Sequence, residues 1–396
     1  MPGLAKVGTV TETFLVFLRL GLSSFGGPIA HLGYFRNEFV ERRRWLDDRA
    51  YADLVALAQF LPGPSSSQVG MGVGLLRAGL PGMVAAWAGF TLPSALALVA
   101  FAYGASLFEG ATARGVTHGL MLAAAAVVAQ AVILMARSLA PDLPRAGLAT
   151  GAAAVGLLWP GALGQIGVLL AGGLIGLAVL RPAAAGEHVP LQVPVGRKLG
   201  GAALMLFFVL LLLLPLAAGR GGAGLQLFEI FYRAGSLVFG GGHVVLPLLE
   251  TALVPRGFIG KDAFLAGYGA AQAVPGPLFT FSAYIGAALD QGPRGVWGAA
   301  ICLSGMFAPS FLLVPGAMPF WARLSHLAPA RAAMAGVNAA VVGILAAAFL
   351  DPVAVTAIHG VMDAGIALAA LGALVLLRLP AWAVVLLCGG AGILVS

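Results

Sequence analysis

The chain has 396 residues, of which 60% are hydrophobic and only 9% are charged. An ordinary soluble domain carries roughly 25% charged residues, so the composition excludes that class and predicts a membrane protein with little mass outside the bilayer. The net charge of +7 does not indicate a nucleic-acid partner, because Lys and Arg flank the apolar segments as the positive-inside rule describes. Cys302 and Cys388 lie in apolar runs, so we predict that they are buried packing residues. We predict no disulfide, no metal site and no cofactor.

The first part of the chain contains two interrupted apolar segments. Residues 14–34 are broken by Phe25-Gly26-Gly27-Pro28, and residues 51–61 and 65–76 lie on either side of Pro62-Gly63-Pro64. Each of the latter two arms is about a dozen residues long, too short to cross the ~30 Å hydrocarbon core alone. The arms form either one broken crossing or a re-entrant hairpin, and the sequence leaves both open.

The rest of the chain alternates between apolar spans and short connections. Complete or short spans are predicted at residues 81–107, 115–137, 146–158, 163–180, 199–218, 294–315, 330–349, 353–377 and 380–395. The interrupted pattern recurs after residue 222, with breaks at Phe239-Gly240-Gly241-Gly242 and Pro275-Gly276-Pro277. We therefore predict an N-terminal transporter repeat over 1–180, a linker with an unpaired transmembrane helix over 181–221, and a C-terminal repeat over 222–396.

The two halves carry the same motifs in the same order at a nearly constant offset. The matching pairs are Arg19-x-Gly21-x3-Phe25-Gly26-Gly27 with Arg233-x-Gly235-x3-Phe239-Gly240-Gly241, Gln59-x2-Pro62-Gly63-Pro64 with Gln272-x2-Pro275-Gly276-Pro277, and Gly79-x2-Gly82 with Gly292-x2-Gly295. Such self-similarity indicates an internal duplication. Paired, interrupted spans are typical of the binding site of a secondary transporter, because broken helix ends in a membrane need a polar cavity or a ligand.

We therefore predict an all-α polytopic membrane protein with two homologous halves and discontinuous helices. Residues 36–49 are too charged for hydrocarbon and contain five Arg, whereas the corresponding residues 251–261 contain only Arg256 and Lys261. This asymmetry favours inverted-topology repeats with residues 36–49 on the cytoplasmic face. Inversion also needs an even number of crossings in each half, which we expect if the Pro-Gly-Pro arms count as a single crossing.

Groups beside the four breaks are candidates for binding an anion or carrying a proton. Helix N-termini offer free N–H groups and about half a positive charge, and Arg19 with Arg233 would be a symmetry-related pair of guanidiniums. His31 and His243 are the proton-coupling candidates. The structural alternatives are Arg that reach an interface, Ser and Thr bonded to helix carbonyls, and His residues that only pack. The substrate-binding candidates are Arg19, Ser23, Ser24, Gly26, Gly27, Gln59, Gly63, Ser65, Ser66, Arg233, Gly240, Gly241, Gly242, Gln272, Gly276 and Thr280.

The four breaks together resemble the long, two-domain form of the chromate transporter family over nearly the whole chain. The motifs that carry the resemblance are Phe25-Gly26-Gly27-Pro28, Leu61-Pro62-Gly63-Pro64, Phe239-Gly240-Gly241-Gly242 and Val274-Pro275-Gly276-Pro277. The resemblance implies a multi-pass plasma-membrane carrier that exports chromate from the cytoplasm by antiport with protons and so confers chromate resistance. It also implies halves of opposite orientation. Gly242 stands where the first half has Pro28, so the two breaks need not be equivalent.

Other functions stay open on the sequence alone. Sulfate has the same shape and charge as chromate, so a sulfate or other anion transporter, working inward, is the runner-up. A channel is a second alternative, and a membrane-embedded enzyme is a third. The enzyme would need a redox or nucleophilic centre, and the sequence contains no HExxH, GxSxG or Walker motif. We therefore expect no catalytic residue; the oligomeric state, a homodimer included, stays open.

Overall fold

The protein is a bundle of α-helices. The computed structural model describes residues 8–107, 111–159, 161–181, 193–239, 242–324 and 327–395, and these residues contain helices and short connections but no strand. Five helical segments are long and apolar enough to cross a membrane: Ser65–Gly104, Arg114–Leu139, Arg197–Ala218, Gly295–Leu324 and Ala328–Ala357. The prediction of an all-α, multi-pass membrane protein is therefore confirmed.

The helices follow the chain order of the two halves. Before and including the unpaired helix they are α1 Val10–Ser23, α2 Gly27–Arg36, α3 Asp48–Phe60, α4 Ser65–Leu107, α5 Ala111–Leu139, α6 Leu143–Leu158, α7 Ala162–Val179 and α8 Arg197–Ala218. After it they are α9 Ala223–Leu237, α10 Val245–Leu253, α11 Lys261–Ala271, α12 Phe281–Ala287, α13 Gly295–Ala317, α14 Trp321–Leu324, α15 Ala328–Ala348, α16 Val355–Ala357, α17 Val361–Val375 and α18 Ala381–Val395. A π-helical turn, Asn37–Arg42, extends α2.

Both breaks of the first half turn the chain back to the end from which it came. Glu12, near the start of α1, forms ion pairs with Arg43, just past the π-helical turn, and with Arg77, each at 3.3 Å. Arg77 lies at the end of the first arm of α4, immediately before the non-helical residues Ala78 and Gly79. The outer ends of all these arms thus meet at one place, which we call the arginine-rich end. Of the two arrangements that the sequence left open for the Pro-Gly-Pro arms, the structure has the re-entrant hairpin.

The second half also contains a re-entrant hairpin, and its outer ends lie near the C-terminal end of α4. The connection before α11 is tied to the one after α12, because the backbone N–H of Asp290 donates to the Phe258 carbonyl at 2.9 Å and that of Gly260 donates to the Asp290 carboxylate at 3.0 Å. Gly295, at the start of α13, lies so close to Tyr103 that a Cβ there would stand 2.5 Å from the tyrosine hydroxyl. Tyr103 is about 36 Å along α4 from the Gly79 kink at the arginine-rich end. The hairpins of the two halves therefore open at opposite ends of the bundle.

Two backbone hydrogen bonds join the breaks of one half to those of the other. The N–H of Gly63 donates to the Val238 carbonyl at 2.7 Å, and the N–H of Gly276 donates to the Ser24 carbonyl at 2.9 Å. Each Pro-Gly-Pro segment is thus bonded to the last residues before the Gly-Gly break of the opposite half. This pairing satisfies backbone groups that would each cost several kcal/mol if left unpaired in hydrocarbon.

The long helices also interlock across the halves. Gly336 of α15 packs directly on Gly172 and Gly176 of α7, and Gly119 of α5 packs in the same way on Cys388 and Gly392 of α18. Small residues allow such close backbone approach, which is how membrane helices associate without a hydrophobic driving force between them. Each half therefore wraps a helix hairpin around a long helix of the other.

The arginine-rich end is held by charged and aromatic side chains. Glu38, in the π-helical turn, accepts hydrogen bonds from Arg43 at 2.6 Å and from Arg42 at 3.1 Å, while the guanidiniums of Arg43 and Arg77 lie over the ring of Trp45. Burial alone would raise the pKa of Glu38, but the hydrogen bonds from Arg43 and Arg42 outweigh it and hold the pKa below its usual value of 4.5. The carboxylate is therefore held in its ionised form.

Candidate functional site

A cavity of about 470 Å³ lies where the two halves meet at their breaks. It is bounded by the start of α2, the middle of α5, the second Pro-Gly-Pro segment and the connection between α17 and α18. The lining residues that bear on its chemistry are Gly26, Gly27, Gln130, Arg137, His243, Gln272, Gly276 and Arg378. Among the described residues that line it there is no Asp or Glu, and we call it the cationic cavity.

One wall is the N-terminus of α2. Gly26 is the N-cap in a left-handed conformation, with φ of 101°, and Gly27 follows with φ of 75°. Residues with a Cβ rarely adopt such angles, which explains two adjacent glycines here. No side chain caps the helix, so the N–H groups of its first turn are left for water or a ligand, except at Pro28, which has none. An uncapped helix N-terminus attracts anions through these donors and its positive partial charge.

Two guanidiniums stand on the side of the cavity that faces the arginine-rich end. Arg137 lies on α5 about 15 Å beyond Val127, which borders the cavity beside the second Pro-Gly-Pro segment. Arg378 lies in the connection between α17 and α18 with a left-handed φ of 54°. Both side chains are exposed, and in the described part of the chain neither has an acidic partner. Their charges are therefore available to a dianion that enters from this side.

Amide and imidazole groups complete the lining. The Nε2 atom of Gln272 is buried and has no acceptor within the described ranges, whereas the amide of Gln130 donates to the Leu374 carbonyl at 3.3 Å. The Nδ1 atom of His243 lies 2.6 Å from the Tyr268 hydroxyl. A buried amide donor without a partner costs free energy unless a ligand or water accepts its hydrogen bond, so Gln272 is the side chain that most directly indicates a bound group.

The structure brings five of the sequence candidates to the cationic cavity and leaves others near the breaks but off its wall. The five are Gly26, Gly27, His243, Gln272 and Gly276. The second set is Ser24, His31, Gly63, Ser65, Ser66, Gly242 and Thr280. His31 is representative, since its buried ring is held between the Ser24 carbonyl at 3.2 Å and the Ser66 hydroxyl at 3.3 Å. Its ring therefore serves the packing of the first-half breaks.

The remaining candidates do not line the cavity. Arg19, Ser23 and Gln59 are exposed, and the Ser23 hydroxyl donates to the Arg19 carbonyl at 2.8 Å within α1. Arg233 forms an ion pair with Glu229 one turn earlier on α9, at 3.2 Å. The predicted pair of guanidiniums is thus not assembled at this cavity, because the corresponding positions on α1 and α9 point elsewhere. Gly240 and Gly241 lie outside the described residues.

Sequence reasoning missed Arg137, Arg378 and Gln130. Gln130 is the one amide in the apolar stretch from 119 to 136, and Arg378 is flanked by leucines between two apolar runs. Polar residues in such places are costly and mark functional positions in membrane helices. They were overlooked because they have no counterpart in the other half, and the analysis of repeats favours residues that occur twice.

A second cavity, of about 310 Å³, occupies the corresponding place in the other half. Arg114 and Gly119 of α5 correspond to Arg331 and Gly336 of α15, and the same offset relates Arg378 to Gly161, which also has a positive φ. Gly161 lines this second cavity together with Glu250, Lys261 and Asp351. We call it the acidic cavity, because two carboxylates and one ammonium group give it the opposite charge.

Comparison with known proteins identifies one family over both halves. A model described as chromate transporter matches residues 11–177 and 225–393. These two matched regions leave out the whole of residues 181–221, which contain the linker and helix α8. No solved structure gave a significant match to the chain.

Three curated relatives are similar over most of their length. A chromate transport protein of Pseudomonas aeruginosa is 30% identical over 357 residues, covering 87% of this chain and 82% of the relative. A probable chromate transport protein of Synechococcus elongatus is 28% identical, covering 84% of this chain and 81% of the relative. A chromate transport protein of Cupriavidus metallidurans is 27% identical, covering 94% and 89% respectively.

Proposed function

Because the chain belongs to the chromate transporter family, which matches both of its halves, we propose that it is a secondary transporter that exports chromate from the cytoplasm. Three curated relatives that cover most of the chain are named as certain or probable chromate transport proteins. We place the protein in the plasma membrane and expect its activity to give resistance to chromate.

The cationic cavity is the observation that carries this proposal. Chromate is a tetrahedral dianion, so its site must supply positive charge and hydrogen-bond donors from several directions. The uncapped start of α2, the buried amide of Gln272 and the guanidiniums of Arg137 and Arg378 offer both. Arginine suits such a ligand because its planar fork can donate two hydrogen bonds to two oxygens. Among described residues, no lining carboxylate would repel the ion.

The direction of transport follows from the orientation that we propose. Arg36, Arg42, Arg43, Arg44 and Arg49 cluster near the arginine-rich end, which supports a cytoplasmic location for that end under the positive-inside rule. Arg137 and Arg378 face the same end, so chromate would enter the cavity from the cytoplasm. The hairpins of the two halves open at opposite ends of the bundle, which supports inverted halves. A re-entrant segment returns to the face from which it started, so it adds no crossing and the number of crossings in each half is even. Rocking of one half against the other would then give alternating access.

We further propose that His243 couples transport to protons. It lines the cationic cavity, and an imidazole can change its charge near neutral pH. His31, enclosed between Ser24 and Ser66, is the less suitable of the two candidates. A His243→Gln variant should therefore lose the response to an imposed pH gradient.

The proposal is tested with Arg137→Ala and Arg378→Ala variants. The measurement is the uptake of labelled chromate into everted membrane vesicles that contain each variant. A hydrogen bond to a charged group contributes about 1.5–3 kcal/mol, so each variant should lower the initial rate at limiting chromate by roughly 10-fold to 100-fold. Arg378→Lys should keep more activity than Arg378→Ala. Arg220→Ala, which removes an exposed arginine remote from the cavity, is the matched control.

Two results would contradict the assignment of the site. One is a double Arg137→Ala, Arg378→Ala variant that transports at the wild-type rate with normal protein levels. The other is a loss of transport in Arg19→Ala and Arg233→Ala variants while the cavity variants remain active. That result would favour Arg19 and Arg233 as the anion-binding pair, as predicted from the sequence.

The same vesicles test the identity of the substrate and the mechanism. Unlabelled sulfate in excess should compete weakly if chromate is the preferred ion, and strong competition would instead favour a sulfate transporter. Uptake into everted vesicles but not into right-side-out vesicles indicates export. Flux in liposomes that is unaffected by a pH gradient would indicate a channel.

A further inference from the structure

Two histidines and an aspartate from distant parts of the sequence meet at the junction of α5 with α17. His118 lies on α5, His359 lies in the connection before α17, and Asp363 lies in the first turn of α17. One possible ligand atom from each of the three lies within 4.8 Å of the other two. The cluster lies apart from both the cationic and the acidic cavity. The sequence predicted no metal site because His118 lies 245 residues from Asp363 and the pair His359-x3-Asp363 offers only two ligands.

The three side chains are already oriented toward one another. The His118 Nε2 atom lies 2.8 Å from one oxygen of Asp363, and the other oxygen of Asp363 accepts a hydrogen bond from the backbone N–H of His359 at 2.9 Å. The two imidazole rings stack with centroids 5.6 Å apart and planes 18° apart. Asp363 is buried, His118 is half-buried and His359 is exposed, so solvent reaches the cluster from the His359 side.

We propose that His118, His359 and Asp363 form a binding site for a divalent transition-metal ion, Zn²⁺ foremost. Two imidazoles and a carboxylate are a ligand set that Zn²⁺ uses, with bonds of about 2.0–2.2 Å and a fourth position left for water. In a tetrahedral site the ligand atoms are about 3.3 Å apart, so the cluster needs only a small contraction. The exposed His359 can supply it by a change of side-chain conformation. The His359 N–H would keep the carboxylate in place, as supporting hydrogen bonds do around metal sites.

Such an ion would join the two halves of the protein. His118 belongs to the first half, while His359 and Asp363 belong to the second, and the site lies near the end of α5 remote from Arg137. A metal ion held by both would restrain any movement of α5 relative to α17. Zn²⁺ should therefore slow transport as well as bind, although binding can be measured without any transport assay.

The alternative reading is a hydrogen bond between His118 and Asp363 that only ties the helices together. In that case His359 contributes ring stacking and no metal is bound. The decisive variant is therefore His359→Gln, since the side chain is exposed and its loss leaves the bond between His118 and Asp363 intact. Asp142→Asn, which removes an exposed carboxylate at the start of α6, is the matched control.

Purified protein in detergent is stripped with a chelator, equilibrated with Zn²⁺ and assayed for bound metal by mass spectrometry and by competition with a zinc indicator. We expect one tightly bound Zn²⁺ per chain, an affinity at least tenfold lower in His359→Gln and Asp363→Asn, and no change in Asp142→Asn. Size-exclusion chromatography checks that each variant is folded. Zn²⁺ should also raise the thermal unfolding temperature of the wild type but not that of His359→Gln. Wild-type protein that retains no zinc, or a His359→Gln variant that binds it as tightly, overturns the proposal.

Discussion

Pro62-Gly63-Pro64 and Pro275-Gly276-Pro277 are alike in sequence but lie in different surroundings. Both glycines have a positive φ, 118° and 104°, and both donate a backbone hydrogen bond to the opposite half. The space beside Gly63 is filled by Gln68, whose amide donates to the Pro62 carbonyl at 2.6 Å and to the Ser310 hydroxyl at 3.1 Å. Phe281 stands where Gln68 would recur, and Gly276 borders the cationic cavity. The two copies therefore have the same backbone form, while the side chains around them differ.

The cationic and acidic cavities, which occupy corresponding places in the two halves, also differ in their side chains. One contains Arg137 and Arg378 and no described carboxylate, and its counterpart contains Glu250 and Asp351. A dianion is attracted by the first and repelled by the second. A few different side chains at corresponding positions can thus give a symmetric framework a single anion site.

The largest expected effect concerns the feature that the two breaks share. Gly276→Ala forces a residue with a Cβ into the left-handed region, which costs about 1–2 kcal/mol, and places the Cβ 2.8 Å from the Ser94 hydroxyl. Gly63→Ala carries the same backbone cost, but its nearest neighbour is the end of the Gln68 side chain at 2.6 Å, which can move. We expect Gly276→Ala to lose about 2–4 kcal/mol of stability and Gly63→Ala to lose about half as much. Thermal unfolding of the purified variants checks the order, and equal losses would mean that Gln68 is fixed.

An intermediate effect is expected where the breaks differ. Gln272 lines the cationic cavity with an unpartnered amide, whereas its counterpart Gln59 is exposed. Gln272→Leu should lower the initial rate of chromate transport at limiting substrate by about tenfold, because one hydrogen bond of about 1.4 kcal/mol is lost. Gln59→Leu should remain within about twofold of the wild type. Equal losses in both variants would argue that the two breaks contribute equally.

The smallest effect concerns the outer end of the first-half hairpins, where the buried side chain of Glu38 is held in its ionised form. Its folded-state pKa is lowered, so its ion pairs stabilise the protein above the usual pKa of about 4.5 and stop doing so as the pH falls through the lowered value. Glu38→Gln should be about 1–2 kcal/mol less stable than the wild type at neutral pH. The difference should shrink as the pH is lowered below about 4. Unfolding midpoints of both proteins at several pH values measure it, and a constant difference would exclude the ionised form as its source.

Sequence reasoning predicted the framework of the fold better than the site. The repeats, the four breaks and the apolar spans all follow from composition, glycine and proline positions, and spacing. The direction of the chain after each break did not follow, because an arm of a dozen residues fits a half-crossing in either direction. The ion pairs of Glu12 with Arg43 and Arg77 identify the hairpins of the first half, and the hydrogen bonds of Asp290 identify that of the second.

The site itself depends on which side of a helix faces inward. Arg19 and Arg233 were favoured because they occupy matching positions, yet Arg19 is exposed and Arg233 is paired with Glu229. Arg137 and Arg378 are brought together by the crossed packing of α5 with α17 and α18, which no local pattern encodes. Gln272, Gly26 and Gly27 do line the cavity, since they belong to the breaks themselves, and their binding of substrate stays a prediction.

The crossed hydrogen bonds of Gly63 with Val238 and of Gly276 with Ser24 also restrict how such a protein can be assembled from smaller chains. A chain with one half alone would contain one partner of each of these two bonds and would leave it unpaired within hydrocarbon. Two half-length chains could restore the bonds only by inserting into the membrane in opposite senses and pairing there. With the inverted halves that we propose, helix α8 would remove that requirement by reversing the second half within a single polypeptide.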